Sequence, residues 1–191
     1  MAELISPYKN IELCTRIKIH AHQINNDLYI NLKNNLKKKV EKKCNKYGYI
    51  TKVYKILDHD NGYIIPENLD SSPIFNIKYS CRICVPIANT IIVCKIDLMN
   101  KVLIKVSNGP IIGIIKITEI NKNNFSITNN KVSHKGKELG IDTYVKVLVI
   151  KSNLFSGDKR IIILGKLEDI ASKSEINKYY KENFDSEEIE E

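Results

Sequence analysis

KYGYITKVYKILDHDNGYIIPENLDSSPIFNIKY, residues 46–79, places β-rich runs on either side of a compact turn. Tyr47 to Ile56 is dense in β-branched and aromatic residues and reads as a strand. Asp60-Asn61-Gly62 supplies the small polar residues and the left-handed position of a tight turn. Tyr63 to Ile65 resumes the hairpin and Pro66 ends it; a loop of turn formers, Glu67 to Pro73, leads into a long strand from Ile74 to Cys84.

Upstream, Ile11, Leu13, Ile17 and Ile19 alternate as a half-buried strand does, and His20 and His22 continue the beat as polar strand-end residues. Asn26 and Asp27 offer an N-cap, after which Leu28, Leu32, Leu36, Val40 and Cys44 recur every four residues, the spacing of one buried helical stripe. Lys33, Lys37, Lys38, Lys39, Lys42, Lys43 and Lys46 fill the other faces, a solvated surface without interleaved aromatics. The first module, residues 1–85, thus reads β, α, β, β, β: one helix laid across a small antiparallel sheet.

Downstream, Pro86 to Asn89 forms a hinge. Five short β-rich runs follow, Ile91 to Asp97, Val102 to Val106, Ile111 to Thr118, Tyr144 to Lys151 and Arg160 to Leu167, which fit a small barrel over residues 86–171. The polar stretch Asn121 to Gly140 has room for a short helix or a long loop. Residues 172–191 read as a mobile acidic tail with one helical turn around Lys178 to Lys181. The fold class is therefore α+β.

The charge divides with the modules. Lys and Arg outnumber Asp and Glu by 14 to 8 through Val85 and by 14 to 7 from there through Lys173, whereas the remainder has 2 against 7. A basic body with an acidic end points to an anionic partner. Five cysteines, Cys14, Cys44, Cys81, Cys84 and Cys94, are scattered without a signal sequence, as reduced intracellular thiols are. Cys81 and Cys84 lie three apart in a strand and so face opposite ways, which argues against a shared zinc. No apolar run is long enough for a membrane span, and no phosphate-cradle, zincin or nucleophile-elbow motif occurs, so neither a catalytic site nor a cofactor is expected.

Lys46-Tyr-Gly-Tyr-Ile50, Gly62-Tyr-Ile-Ile-Pro66 and Phe75-Asn-Ile-Lys-Tyr79, in that order and spacing, resemble the seventh subunit of eukaryotic RNA polymerase II and its archaeal counterpart. Asn108-Gly-Pro110 and Ile163-Leu-Gly-Lys-Leu-Glu-Asp169 extend the resemblance into the second module, which the family builds as an S1-type oligonucleotide-binding barrel. The resemblance implies a non-catalytic stalk subunit of DNA-directed RNA polymerase, an accessory subunit active in transcription initiation and transcript handling. It would dock on the polymerase core near the clamp, pair with a smaller helical subunit and meet nascent RNA.

By that analogy the docking tip comprises Lys46, Tyr47, Gly48, Tyr49, Pro66, Glu67 and Asn68. The barrel departs from the family where Asn100-Lys-Val-Leu103 replaces an aromatic-bearing turn, so RNA contact would rest on phosphate-binding by Lys95, Lys101, Lys105, Lys146, Lys151 and Arg160, sequence-tolerant and salt-sensitive. The competing reading is a free-standing S1-domain single-stranded RNA-binding protein. The departures from the family pattern, with an Ile, Asn and Lys bias of the kind an A+T-rich genome leaves, would suit a polymerase of a large DNA virus, working in virion and host cytoplasm; a cellular member would be nuclear.

Overall fold

A computed structural model describes residues 2–66, 72–128, 131–134 and 137–184. The N-terminal module is a four-stranded antiparallel sheet ordered β1 (Tyr8–Lys18), β4 (Ile74–Cys84), β3 (Gly48–His59), β2 (Lys43–Asn45), with α1 (Leu28–Val40) on one face. Leu32 and Leu36 of α1 are fully buried against Leu13, Ile17, Phe75 and Ile77, the inward residues of β1 and β4. Burying each such side chain stabilises the module by about 1.5–3 kcal/mol. The opposite face of the sheet is solvated: Asn10, Glu12, Arg16, Asn76 and Lys78 stand exposed on alternate positions.

Several elements differ from expectation. The helix stops at Val40 instead of continuing to Cys44. Lys42 takes a left-handed φ of 57°, its N–H donates to the Ile50 carbonyl, and Cys44 becomes the buried centre of β2. A residue at the right helical spacing can thus be claimed by a sheet edge. Asp27 caps the helix by position without a side-chain bond; instead its N–H donates to the Asn25 side chain. His20 is the N-cap of a 3₁₀ turn, Ala21–Gln23, and His22 its middle residue; their rings stack 5.7 Å apart and neither extends the strand. The run at Tyr63–Ile65 shrinks to a single bridge between Tyr63 and Ile74. The preceding turn forms as read: Gly62 has φ +74°, and the Asp60 carboxylate accepts from the Gly62 N–H and from both Asn76 nitrogens.

After the loop 85–90, β5 (Ile91–Met99), β6 (Leu103–Asn108), β7 (Ile111–Ile120), β11 (Tyr144–Asn153) and β12 (Ile161–Ile170) close into a barrel in the order β11-β12-β7-β6-β5, antiparallel except where β12 meets β7. Its interior is aliphatic, filled by Ile96, Ile104, Val106, Ile115, Val147 and Ile163 among others.

Among its described residues, the stretch between β7 and β11 forms neither a helix nor an open loop. It folds as three short strands, β8 (Phe125–Thr128), β9 (Lys131–His134) and β10 (Lys137–Glu138), because Phe125, Val132 and Leu139 are apolar enough to bury against the barrel core. The polar tail also differs from expectation over Lys173–Phe184, which is helix α2. Ser172 and Glu175 form a reciprocal cap, with the Ser172 N–H donating to the Glu175 carboxylate at 2.6 Å and the Glu175 N–H to the Ser172 hydroxyl at 3.4 Å. Ile176 and Tyr179 then pack on Val93 and Leu4. Residues 185–191 of the expected tail lie outside the described residues.

Candidate docking and nucleic-acid surfaces

Lys46, Tyr47, Gly48 and Tyr49 form the β2–β3 hairpin, and the structure puts that hairpin at the seam between the modules. Asn45 accepts from the N–H groups of Tyr47 and Gly48 at 2.8 and 3.0 Å, closing the turn. β2 is stitched to the barrel: the Cys44 N–H donates to the Asp158 carbonyl at 2.7 Å, and the Gly157 N–H donates back to Cys44 at 2.9 Å. Tyr49 is buried with Cys44 and Cys84 against the barrel core, where burial raises its phenol pKa. Tyr47 remains half exposed, with the Lys46 ammonium 4.7 Å from its ring centre.

Pro66 is far from this hairpin. β3 runs twelve residues from Gly48 to His59, a span of roughly 40 Å at ~3.3 Å per residue, and Pro66 lies past its other end. Glu67 and Asn68 lie outside the described residues. Lys46 to Tyr49 and Pro66 therefore do not form one surface.

The far end of the sheet offers a surface that the motif reading missed. Ile24, Leu28, His59, Tyr63, Ile64 and Phe75 line an open groove there. Of these, Ile24 and Ile64 are 49% and 56% exposed and Tyr63 is also exposed; Tyr29 and Ile30 in the first turn of α1 and Ile65 after Ile64 are exposed as well. Exposed apolar side chains gathered around such a groove make it a candidate interaction surface. The signal was present in the sequence as Tyr29-Ile30 and Tyr63-Ile-Ile65, apolar residues outside the helical stripe and the strand alternation.

The six barrel cations divide. Lys95 pairs with Asp142 at 2.8 Å, and Lys146 sits 3.8 Å from Asp169 and 3.6 Å from Glu175, so both are engaged within the chain. Lys101 is exposed in the β5–β6 turn and Arg160 just before β12. Lys151 and Lys105 belong to one outer row, in which cross-strand partners run Lys151, Leu164, Ile114, Lys105, Leu98. That row places cations beside aliphatic side chains where a stacking platform would carry aromatics. Phe155, 67% exposed between β11 and β12, is an aromatic the sequence reading did not single out.

The two cysteines of the CxxC do face apart. Cys81 lies in the sheet-and-helix core and Cys84 in the barrel-side core with Cys44 and Cys94. No group of three or more His, Cys, Asp or Glu suited to a metal occurs among the described residues. Among these residues no helix is long and apolar enough to cross a membrane.

A one-helix sheet module joined to a closed five-stranded barrel is the two-module α+β architecture expected from the sequence. The family model of the SHS2 domain found in the N terminus of Rpb7p/Rpc25p/MJ0397 matches residues 15–68. The chain is 31% identical over 176 residues to the putative DNA-directed RNA polymerase subunit L376 of Acanthamoeba polyphaga mimivirus, a match spanning 91% of this chain and 88% of that relative. The chain belongs to the Rpb7-like family of RNA polymerase subunits, of which the mimivirus protein is a viral member.

Proposed function

We propose that this chain is the non-catalytic stalk subunit of a multisubunit DNA-dependent RNA polymerase, seated on the core near the clamp by the far end of its N-terminal module. The observation that supports this seating is the apolar groove lined by Ile24, Leu28, Tyr63, Ile64 and Phe75, with Tyr29, Ile30 and Ile65 exposed on the adjoining segments and the loop through Pro66, Glu67 and Asn68 following in sequence. Lys46 to Tyr49 then serve a different purpose: they lock the sheet to the barrel, so that a barrel held by the seam projects at a fixed angle from the docked end. A smaller helical partner would complete the stalk. The projecting barrel would steer the emerging transcript and help initiation through sequence-tolerant phosphate contacts by Lys101, Lys105, Lys151 and Arg160.

The test is co-purification of the two largest polymerase subunits with a tagged chain. Ile64→Asp and Ile30→Asp place charges on exposed positions, so folding should survive while polymerase recovery drops by tenfold or more, on the order expected for a hot-spot contact. Tyr47→Asp, at the seam, should leave recovery unchanged. Full recovery with both isoleucine variants would overturn docking by the far end.

A further inference from the structure

The solvated face of the N-terminal sheet ends, next to the barrel, in a polar cavity of about 420 Å³ lined by Ser6, Tyr8, Lys9, Asn10, Tyr54 and Arg82. Arg82 of β4 lies between Asn10 on β1 and Lys52 on β3, its cross-strand partners. Its guanidinium is 4.9 Å from the centre of the Tyr8 ring. That ring is anchored from the barrel: the Tyr8 hydroxyl donates to the Asn108 carbonyl at 3.4 Å and its side-chain oxygen at 3.1 Å, while Asn108 Nδ2 donates to the Val93 carbonyl at 2.7 Å. The seam therefore orients Tyr8, and Tyr8 orients Arg82.

Two cations and no carboxylate line the cavity, and among the described residues no acid pairs with either Arg82 or Lys9. A guanidinium held over an aromatic ring still has N–H groups for bidentate bonds to an oxyanion. The remaining groups can complete such a shell. Tyr54 donates to the Asn10 side-chain oxygen at 3.3 Å, which leaves the Asn10 amide nitrogen as a donor. The Ser6 hydroxyl oxygen accepts from the Tyr8 N–H at 3.2 Å and keeps its own hydrogen to give. Two positive charges and several neutral donors match a phosphate group better than a single carboxylate.

We infer that the cavity around Arg82 seats a phosphate group, carried either by single-stranded RNA or by free pyrophosphate. The seat stands at the module seam, at the opposite end of the sheet from the proposed core-docking surface, and does not depend on that docking.

The experiment uses the purified full chain, with an oligouridine and inorganic pyrophosphate as separate probes, and compares Arg82→Gln, Arg82→Lys and, as a charge control on the exposed face of α1, Lys38→Gln. For a seat on RNA, Arg82→Gln should weaken oligouridine binding about tenfold and flatten the log–log salt dependence by about 0.7, the loss of one single-strand phosphate contact. Arg82→Lys, which keeps charge and loses the fork, should fall between. Unchanged oligouridine binding together with pyrophosphate binding that Arg82→Gln abolishes supports the seat and assigns it to the free anion. If Arg82→Gln affects neither probe more than Lys38→Gln does, the effect is the general field of a basic protein and the inference is overturned.

Discussion

Replacing Gly48 with alanine tests the seam at its tightest point. Gly48 has φ +143°, in the half of conformational space that side chains avoid, and a Cβ built there would stand 2.4 Å from Val85 Cγ2 and 2.9 Å from the Cys84 carbonyl oxygen. The valine methyl could rotate away, but the carbonyl belongs to the β4 backbone opposite Tyr49 and cannot retreat without breaking the pairing. Backbone strain of about 1–3 kcal/mol and overpacking of about 1–3 kcal/mol combine to roughly 4 kcal/mol, a large part of the 5–15 kcal/mol that holds an ordinary domain. For a chain of this size that lowers the thermal midpoint by roughly 8–16 °C. Gly157→Ala is the matched control: φ is +93°, yet nothing lies within 4 Å of the added Cβ, so only the strain applies and the drop should be about half or less. Thermal melts followed by circular dichroism give both numbers. Alkylation of Cys44 by iodoacetamide gives a second readout, because an opened seam exposes that buried thiol. Equal midpoint shifts for the two variants, with Cys44 still protected, would refute close packing at Gly48.

The docking of α2 should weaken in acid. Burial works to raise the Glu175 pKa, but hydrogen bonds from Ser172 and the Lys146 ammonium outweigh it and hold the carboxyl below its usual value. A depressed carboxyl contributes stability above the ordinary glutamate range and loses it as pH falls through the folded value. Near-ultraviolet dichroism of the cluster of Tyr144, Tyr179 and Tyr180 should record that step, and Glu175→Gln should remove it; Ser172→Ala should loosen the helix at any pH by about 1 kcal/mol. Native alkylation should modify exposed Cys14 first, since burial pushes the Cys81 thiol up to about 11 and the Cys84 and Cys94 thiols higher still; mass spectrometry showing Cys81 as fast as Cys14 would contradict the buried placement. Leu36→Ala, at a fully buried position, should cost about 2–5 kcal/mol in urea unfolding, while Asn34→Ala on the exposed side of α1 should be nearly silent.

The candidate surfaces were less legible than the fold. Lys105 and Lys151 could be named from composition, but not that Lys95 and Lys146 are engaged by Asp142, Asp169 and Glu175, since ion pairs depend on which strands become neighbours. The far-end apolar cluster draws on α1, the turn after β3 and the start of β4, three segments that no local window joins. Arg82 carries no signal of its own in the sequence; its environment comes from Tyr8, 74 positions earlier, and from the barrel that holds Tyr8.

The residues by themselves determined the two-module α+β plan, the five barrel strands, the inward Leu32 and Leu36 of α1, and the opposed facing of Cys81 and Cys84. Each of these follows from a period of two or of about four, which the backbone imposes over a few residues whatever surrounds them. Tertiary structure decided what no period encodes. Cys44 left the helical stripe for β2 because an edge strand and the barrel loop both offered it hydrogen bonds. The polar stretches before β11 and after β12 became β8–β10 and α2 because a few apolar residues found a core to join. Lys46 to Tyr49, adjacent in sequence to the strand that reaches toward Pro66, ended at the opposite pole from it, since an extended chain carries its two ends as far apart as its length allows. That separation makes the hairpin a seam and puts the proposed docking surface at the far end.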